Sequence, residues 1–131
     1  MSKKLKIKLI PEIKKAWIEA LRSDEYIQGK GKLIEKKVSY ERVFFKYCCL
    51  GVVSKINSAQ VKNDSQFKYR IGRISHIESS YPPVSWFRNL IIGGHKISDA
   101  KISKLLDKLV NMNDDRNYSF KSISNYIEKW L

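Results

Sequence analysis

Two adjacent cysteines, Cys48 and Cys49, are the only thiols in the chain and lie in an apolar run, FFKYCCLGVV. Adjacent cysteines do not reach the Cα separation of an ordinary disulfide without distorting the peptide between them. A zinc site would need two more ligands, and His76 and His95 stand at spacings that match no zinc-finger pattern. Free cysteine is among the residues most often buried, so we expect both to be core residues. A reactive thiol and a metal ligand are the alternatives.

The other side chains that could support catalysis do not form a recognisable set. The chain contains no glycine-rich phosphate loop, no His-Glu-x-x-His and no Gly-x-Ser-x-Gly. We expect His76 and His95 to be surface or partly packed residues, because a catalytic base needs partners within reach. Asp114 and Asp115 could pair as metal ligands, but adjacent acids after a helix usually form a turn. We therefore expect no enzymatic activity, no metal and no cofactor.

Charge is the most unusual property of the sequence. Lys and Arg number 26 against 13 Asp and Glu, which gives a net charge of +13. A positive field of this kind attracts polyanions and speeds their association. Residues 30–73 hold eleven basic and three acidic residues, with Tyr40, Tyr47 and Tyr69 among them. Lysines that merely solvate the surface, as in the product of an AT-rich genome, are the alternative explanation.

Basic groups release counterions from phosphates and aromatic rings stack on bases, a combination used to bind single strands and RNA. The sequence therefore predicts a surface that binds nucleic acid or another anionic ligand. No helix-turn-helix or RNA-recognition motif accompanies it, so sequence specificity is not implied. The predicted binding residues are Lys30, Lys32, Lys36, Lys37, Arg42, Lys68, Tyr69, Arg70 and Arg73.

The elements that must position these residues alternate between strand and helix patterns. Residues 1–10 show the period of two of a basic strand, or form an arm, and a helix is predicted over 11–23 with Pro11 at its first position. The next segment, YIQGKGKL, is predicted to be a flexible basic turn. Residues 33–47 favour a hairpin and 47–57 a helix. Alternation in FKYRIGRISHI favours another strand.

The second half of the chain is predicted to be mostly helical. YPPVSWFRNL places a short helical turn after two prolines, and Ser98 caps a helix whose sequence is DAKISKLLDKLVNM. The turn NDDRNY then leads to a last helix capped by Ser119, with an apolar face that includes Tyr126 and Trp130. We expect one compact α+β domain over residues 1–131, with about four helices and a small antiparallel sheet or hairpin. No run of 18 apolar residues is present, so no membrane span is expected.

Four stretches along the chain form a shared pattern: PEIKKAWIEALRSDEYIQGKGKL, YCCLGVV, PPVSWFRNL and LVNMNDDRNYSFKSISNYIEKWL. Together they resemble a widespread set of small accessory proteins encoded by tailed phages and prophages. That set has a Trp-bearing first helix, a Tyr-x-Gln turn, a Cys-Cys-Leu-Gly-Val segment and an Asn-Asp turn before Ser/Thr-Phe-x-x-Ile. The resemblance covers nearly the whole chain and implies a phage accessory protein. It implies no mechanism. Because the basic N-terminus is not followed by the apolar region of a signal peptide, we expect this protein in the cytoplasm of the host cell.

Most residues of this pattern have a structural role available, and Asn113 and Asp114 suit a turn between helices. Arg22, Tyr26 and Gln28 either form a polar cluster that binds a ligand or cap the first helix. Two functions follow as hypotheses. The first is a non-enzymatic protein that binds nucleic acid through its basic surface. The second is a viral inhibitor of a host defence system, which binds an acidic host protein or sequesters a nucleotide signal.

Overall fold

The computed structural model describes residues 7–57 and 81–131, and within these ranges the expected α+β fold is confirmed. The described residues contain five α-helices instead of about four, and two short 3₁₀ turns at Arg88–Leu90 and Gly94–Lys96. The strands are β1 (Ile27–Gln28), β2 (Ile34–Ser39) and β3 (Arg42–Tyr47). The helices are α1 (Pro11–Arg22), α2 (Cys49–Ile56), α3 (Val84–Phe87), α4 (Asp99–Asp114) and α5 (Phe120–Trp130).

The sheet contains the predicted hairpin and one strand that was not predicted. Strands β2 and β3 are antiparallel, with Cα partners from Ile34 and Tyr47 at the base to Ser39 and Arg42 at the tip. Strand β1 pairs with β3 in parallel, so the three-stranded sheet has the order β1-β3-β2 and is mixed, where an antiparallel one was expected. A two-residue strand is too short to show alternation. It is held by tertiary contact, including the bond from Gly29 N to Tyr47 O at 2.7 Å.

The adjacent cysteines lie where the hairpin leads into α2, and their predicted burial is confirmed. Both thiols are free and buried, and the Cys48 sulfur accepts a hydrogen bond from Gly51 N at 3.4 Å at the start of the helix. Gly51 is required here by close packing, because a Cβ at this position would lie 1.9 Å from the carbonyl oxygen of Leu33. Across the core, the Trp17 indole donates to the Cys49 carbonyl at 3.0 Å. The cysteine pair therefore belongs to the packed centre of the fold.

The two long C-terminal helices begin at the predicted serine caps. The Ser98 hydroxyl accepts from Lys101 N and the Ser119 hydroxyl from Ser122 N, which satisfies backbone donors in each first turn. Helix α4 continues two residues beyond the predicted end, to Asp114. Helix α5 packs against α1 and buries Phe120, Ile123 and Ile127. Trp130, which was predicted to share that apolar face, is instead 51% exposed, because Leu131, four residues after Ile127, takes the buried position at this end of the face.

The described part of the N-terminal segment is bound to the core and does not extend as an arm. Leu9 is buried, forms an isolated antiparallel bridge with Ile91 and donates its backbone N–H to Leu131 O at 2.8 Å. Residues 1–6 and the predicted strand around 67–77, with His76, lie outside the described residues. Among the residues that the structure describes, none of the helices is long and apolar enough to cross a membrane.

Candidate nucleic-acid interface

The side of the hairpin that faces away from buried Ile34 and Tyr47 combines basic and apolar side chains. Successive side chains of a strand point to opposite faces, so residues two apart share a face. The Cα register pairs Lys37 with Phe44 across the hairpin, and β1 places Ile27 opposite Lys46. We call this face the hairpin surface. It comprises Ile27, Glu35, Lys37, Ser39, Arg42, Phe44 and Lys46.

The tip of the hairpin is a two-residue turn with an unusual composition. Tyr40 and Glu41 have φ values of 47° and 65°, in the left-handed region that Gly and Asn adopt far more easily. The Tyr40 side chain is 97% exposed, and the neighbouring pair of Val38 and Val43 is exposed as well. A left-handed conformation costs such a residue about 1–2 kcal/mol. The tip therefore presents an aromatic ring to solvent at an energetic cost to the fold.

One acidic residue of the hairpin forms ion pairs with two of its lysines. Glu35 forms ion pairs with Lys37 at 3.4 Å and Lys32 at 3.7 Å. Loss of solvent raises the pKa of Glu35, but the charge and hydrogen bond of Lys37 and the charge of Lys32 outweigh it, so the pKa lies below its usual value. Residues 30–47 hold six basic and two acidic residues. The hairpin thus keeps an excess of positive charge, even though the Glu35 carboxylate forms ion pairs with two lysines.

The predicted binding residues are only partly brought together. Lys30 and Lys32 lie between β1 and β2, whereas Lys36 and Lys37 point to opposite faces of β2. Arg42 begins β3 beside the exposed tip, where a depression of about 390 Å³ is lined by residues that include Tyr40 and Phe44. The other four predicted residues lie outside the described residues. They are Lys68, Tyr69, Arg70 and Arg73.

Two aromatic assignments change once the structure is considered. Tyr47, which the sequence placed among the stacking candidates, is buried, and its ring packs edge-on against Tyr26 with centroids 5.1 Å apart. Phe44 and Ile27 were not selected from the sequence, although they lie on the hairpin surface. Alternation from Arg42 could have identified Phe44, because residues two apart share a face. No local pattern marks Ile27.

Arg22, Tyr26 and Gln28 make separate tertiary contacts, and none of them caps α1, which ends at the backbone and hydroxyl of Ser23. The Arg22 guanidinium bonds to α5, donating to the Ser124 hydroxyl at 3.0 Å and pairing with Glu128 at 3.3 Å. It also donates to the Asn125 side-chain oxygen. These contacts fasten the end of α1 to α5.

Gln28 and Asn113 are part of one hydrogen-bond network that extends from the surface into the core. The Gln28 amide donates to the Asn113 side-chain oxygen at 3.0 Å and accepts from Phe120 N at 3.1 Å. The same Asn113 oxygen accepts from Cys49 N at 3.2 Å, and its amide nitrogen donates to Gly29 O at 2.8 Å. Asn113 was predicted to form a turn; it lies instead in the last turn of α4 and is fully buried.

Neither of the two cysteines has the properties of a reactive nucleophile. Burial raises the pKa of the Cys48 thiol to about 12 and raises that of Cys49 as well, so neither is a thiolate near neutral pH. Within residues 7–57 and 81–131, no group of three or more His, Cys, Asp or Glu side chains could hold a metal ion.

Comparison with known proteins gives one result. A family model described as a domain of unknown function, DUF8296, matches residues 9–131. The matched range includes the hairpin surface and the Asn113 network. No curated protein and no solved structure matches the chain.

Proposed function

The chain belongs to the DUF8296 family, and we propose that this member binds single-stranded or structured nucleic acid without sequence specificity and without catalysis. The hairpin surface and the tip around Tyr40 form the contact region. The resemblance to phage and prophage accessory proteins supports a viral protein that acts in the cytoplasm of an infected host. Binding of this kind is expected in the micromolar range at physiological salt, about the strength of non-specific contacts to phosphates.

The exposed, left-handed tip is the observation that carries this proposal. Tyr40 is almost fully exposed in a conformation that Asn or Gly would adopt at lower cost. Residues held in strained conformations cluster at functional sites, where the surrounding structure compensates for them. An aromatic ring held in this way, with Arg42 beside it, is suited to contact a flat, apolar partner that carries negative charge nearby.

Two kinds of contact would act together on a nucleic acid. Lys37 and Arg42, on the hairpin surface, would neutralise phosphates and release counterions, which makes the affinity fall steeply with salt. Tyr40 would stack on an unpaired base, a contact worth about 1–3 kcal/mol for each base. A duplex presents no unpaired bases, so Tyr40 contributes to binding of single strands and loops more than to binding of duplexes.

Fluorescence anisotropy with a labelled 20-nucleotide single strand and the matching duplex, at two salt concentrations, tests the proposal. Tyr40→Ala should weaken single-strand binding by roughly 5- to 150-fold and leave duplex binding nearly unchanged. Tyr118→Ala is the matched control, because Tyr118 is also exposed but lies between α4 and α5.

A second comparison separates local contacts from net charge. Lys37→Glu with Arg42→Glu should weaken binding and reduce the slope of log K against log salt, since fewer counterions are released. Lys101→Glu with Lys121→Glu changes the net charge equally at exposed sites on α4 and α5, and should have a smaller effect. If the wild-type protein binds neither probe at low salt, or if both charge-reversed pairs lose affinity equally, the hairpin is not a nucleic-acid interface.

A further inference from the structure

An open groove runs along one side of α1, away from the residues assigned above to nucleic acid. Its volume is about 610 Å³, within the usual range of ligand sites. Helix α1 contributes residues from Pro11 to Arg22 at helical spacing, and the opposite wall includes Ile92 and Glu128. Eleven residue steps at about 1.5 Å each make this wall roughly 16 Å long. We call this feature the α1 groove.

The groove has an apolar floor. Ile18 lies in it as a nearly buried residue, and Ile92 is 55% exposed despite being a large apolar side chain. The position of Ile92 is fixed, because its backbone N–H donates to Lys8 O at 2.8 Å. An exposed isoleucine on a fixed backbone beside a concave surface provides an apolar contact site for a ligand.

Charge is distributed unequally along the groove. At one end, Arg22 is already neutralised by Glu128 at 3.3 Å. Lys14 and Lys15 lie about one helical turn from the other end, and within the described ranges neither ammonium group forms an ion pair. Lys8 also lines the groove, and its ammonium group donates to Trp130 O at 3.1 Å. Glu19 lies on the same wall, between the two ends. The groove therefore favours a ligand whose negative charge is concentrated at one end and whose remainder is apolar.

We propose that the α1 groove binds an acidic peptide segment of a partner protein. Its carboxylates lie over Lys14 and Lys15, and an apolar side chain packs against Ile18 and Ile92. A trough of this length, open to solvent, fits an extended or helical peptide with spaced apolar residues. Charge complementarity at the lysine end orients the peptide and selects against basic segments.

The test uses labelled 12-residue peptides with four glutamates in one half and two leucines in the other. One version has the glutamates in its N-terminal half and the other has them in its C-terminal half. Two matched peptides replace either the glutamates by glutamine or the leucines by serine. Fluorescence anisotropy measures their binding to the full chain. We expect the parent peptide to bind in one orientation at least about tenfold more tightly than either matched peptide.

Protein variants then assign the binding to the α1 groove. Lys14→Glu with Lys15→Glu should lower the affinity at least about tenfold, and Ile92→Ser about fivefold. Glu19→Gln should raise the affinity about two- to threefold, because it removes a repulsive charge. This increase cannot arise from misfolding. Lys101→Glu with Lys104→Glu, on the exposed face of α4, is the charge-matched control and should have little effect.

Three results would overturn the proposal. The first is that no parent peptide binds better than its glutamine version. The second is equal loss of affinity in the control pair and in the Lys14 and Lys15 pair, which would indicate a non-specific field. The third is a competition result in which a single-stranded oligonucleotide displaces the peptide from the wild-type chain but not from the Ile92→Ser variant. This result would assign the groove to nucleic acid.

Discussion

Asn113 joins three distant parts of the chain, and its replacement by alanine should be strongly destabilising. Its side-chain oxygen accepts from Cys49 N, the first residue of α2, where backbone donors have no partner within the helix. Its amide nitrogen donates to Gly29 O beside β1. Asn113→Ala would leave both backbone groups buried without this partner. Gln28 would keep its bonds to Tyr118 O and Phe120 N.

The size of the effect follows from these two groups. A buried donor or acceptor that loses its partner costs about 1–3 kcal/mol. Two such groups give roughly 2–6 kcal/mol, and we expect about 3–4 kcal/mol for Asn113→Ala. A domain of this size is stable by about 5–15 kcal/mol, so the loss is a large fraction of the total. Asn113→Asp keeps the acceptor but loses the donor and places a carboxylate beside Asp114, so it should be at least as destabilising at pH 7.

Urea unfolding with linear extrapolation measures the difference. Asn111→Ala is the control, because Asn111 lies on the same helix but is exposed, and its side-chain amide donates to the exposed Asp115 carboxylate. It should change the free energy of unfolding by less than about 0.5 kcal/mol. If Asn113→Ala changes the free energy of unfolding as little as this control, the network does not hold α2, α4 and β1 together. Water or a shift of the backbone would then satisfy Cys49 N and Gly29 O.

Three other features give predictions that stability or thiol assays can check. Gly51→Ala should prevent stable folding, since the added Cβ would lie 1.9 Å from a backbone carbonyl oxygen; a melting curve like that of the wild type would contradict this. Tyr40→Asn with Glu41→Gly should raise the free energy of unfolding by about 1–2 kcal/mol, because Asn and Gly adopt the left-handed conformation at lower cost. If urea unfolding gives the same free energy as for the wild type, the turn is unstrained. Burial raises the pKa of Cys48 to about 12, so alkylation of native protein should be slow, and rapid labelling would refute its burial. The free energy of unfolding should also fall as the pH rises from about 9 toward 12, because the thiols ionise at a lower pH in the unfolded chain than in the native protein. In the double variant Cys48→Ala, Cys49→Ala, the part of this decrease that comes from the thiols should be absent.

The elements that the sequence predicted well are those specified by nearby residues. Ser98 and Ser119 cap helices by bonding to backbone three residues away, and Pro11 begins α1 because its missing N–H is not needed there. The hairpin of residues 33–47 follows from alternation of side chains. Burial of the cysteine pair follows from an apolar run around Gly51, whose lack of a side chain permits the close approach to Leu33.

The candidate site was predicted only in part. The basic composition of residues 30–47 is visible in the sequence, but the separation of Lys36 and Lys37 onto opposite faces depends on which face of the hairpin packs on the core. The burial of Tyr47 and the exposure of Trp130 depend equally on packing, since both side chains are suited to either environment.

The α+β class, the helix starts, the hairpin and the excess of positive charge were predictable without coordinates, because each depends on composition or on residues within one or two turns. The parallel pairing of β1, the burial of Asn113 and the walls of the α1 groove could be identified only in the folded chain. Gln28 and Asn113 are 85 residues apart in the chain and 3.0 Å apart in the fold. Contacts at such separation are set by how whole elements pack, and a local pattern contains no information about the partner.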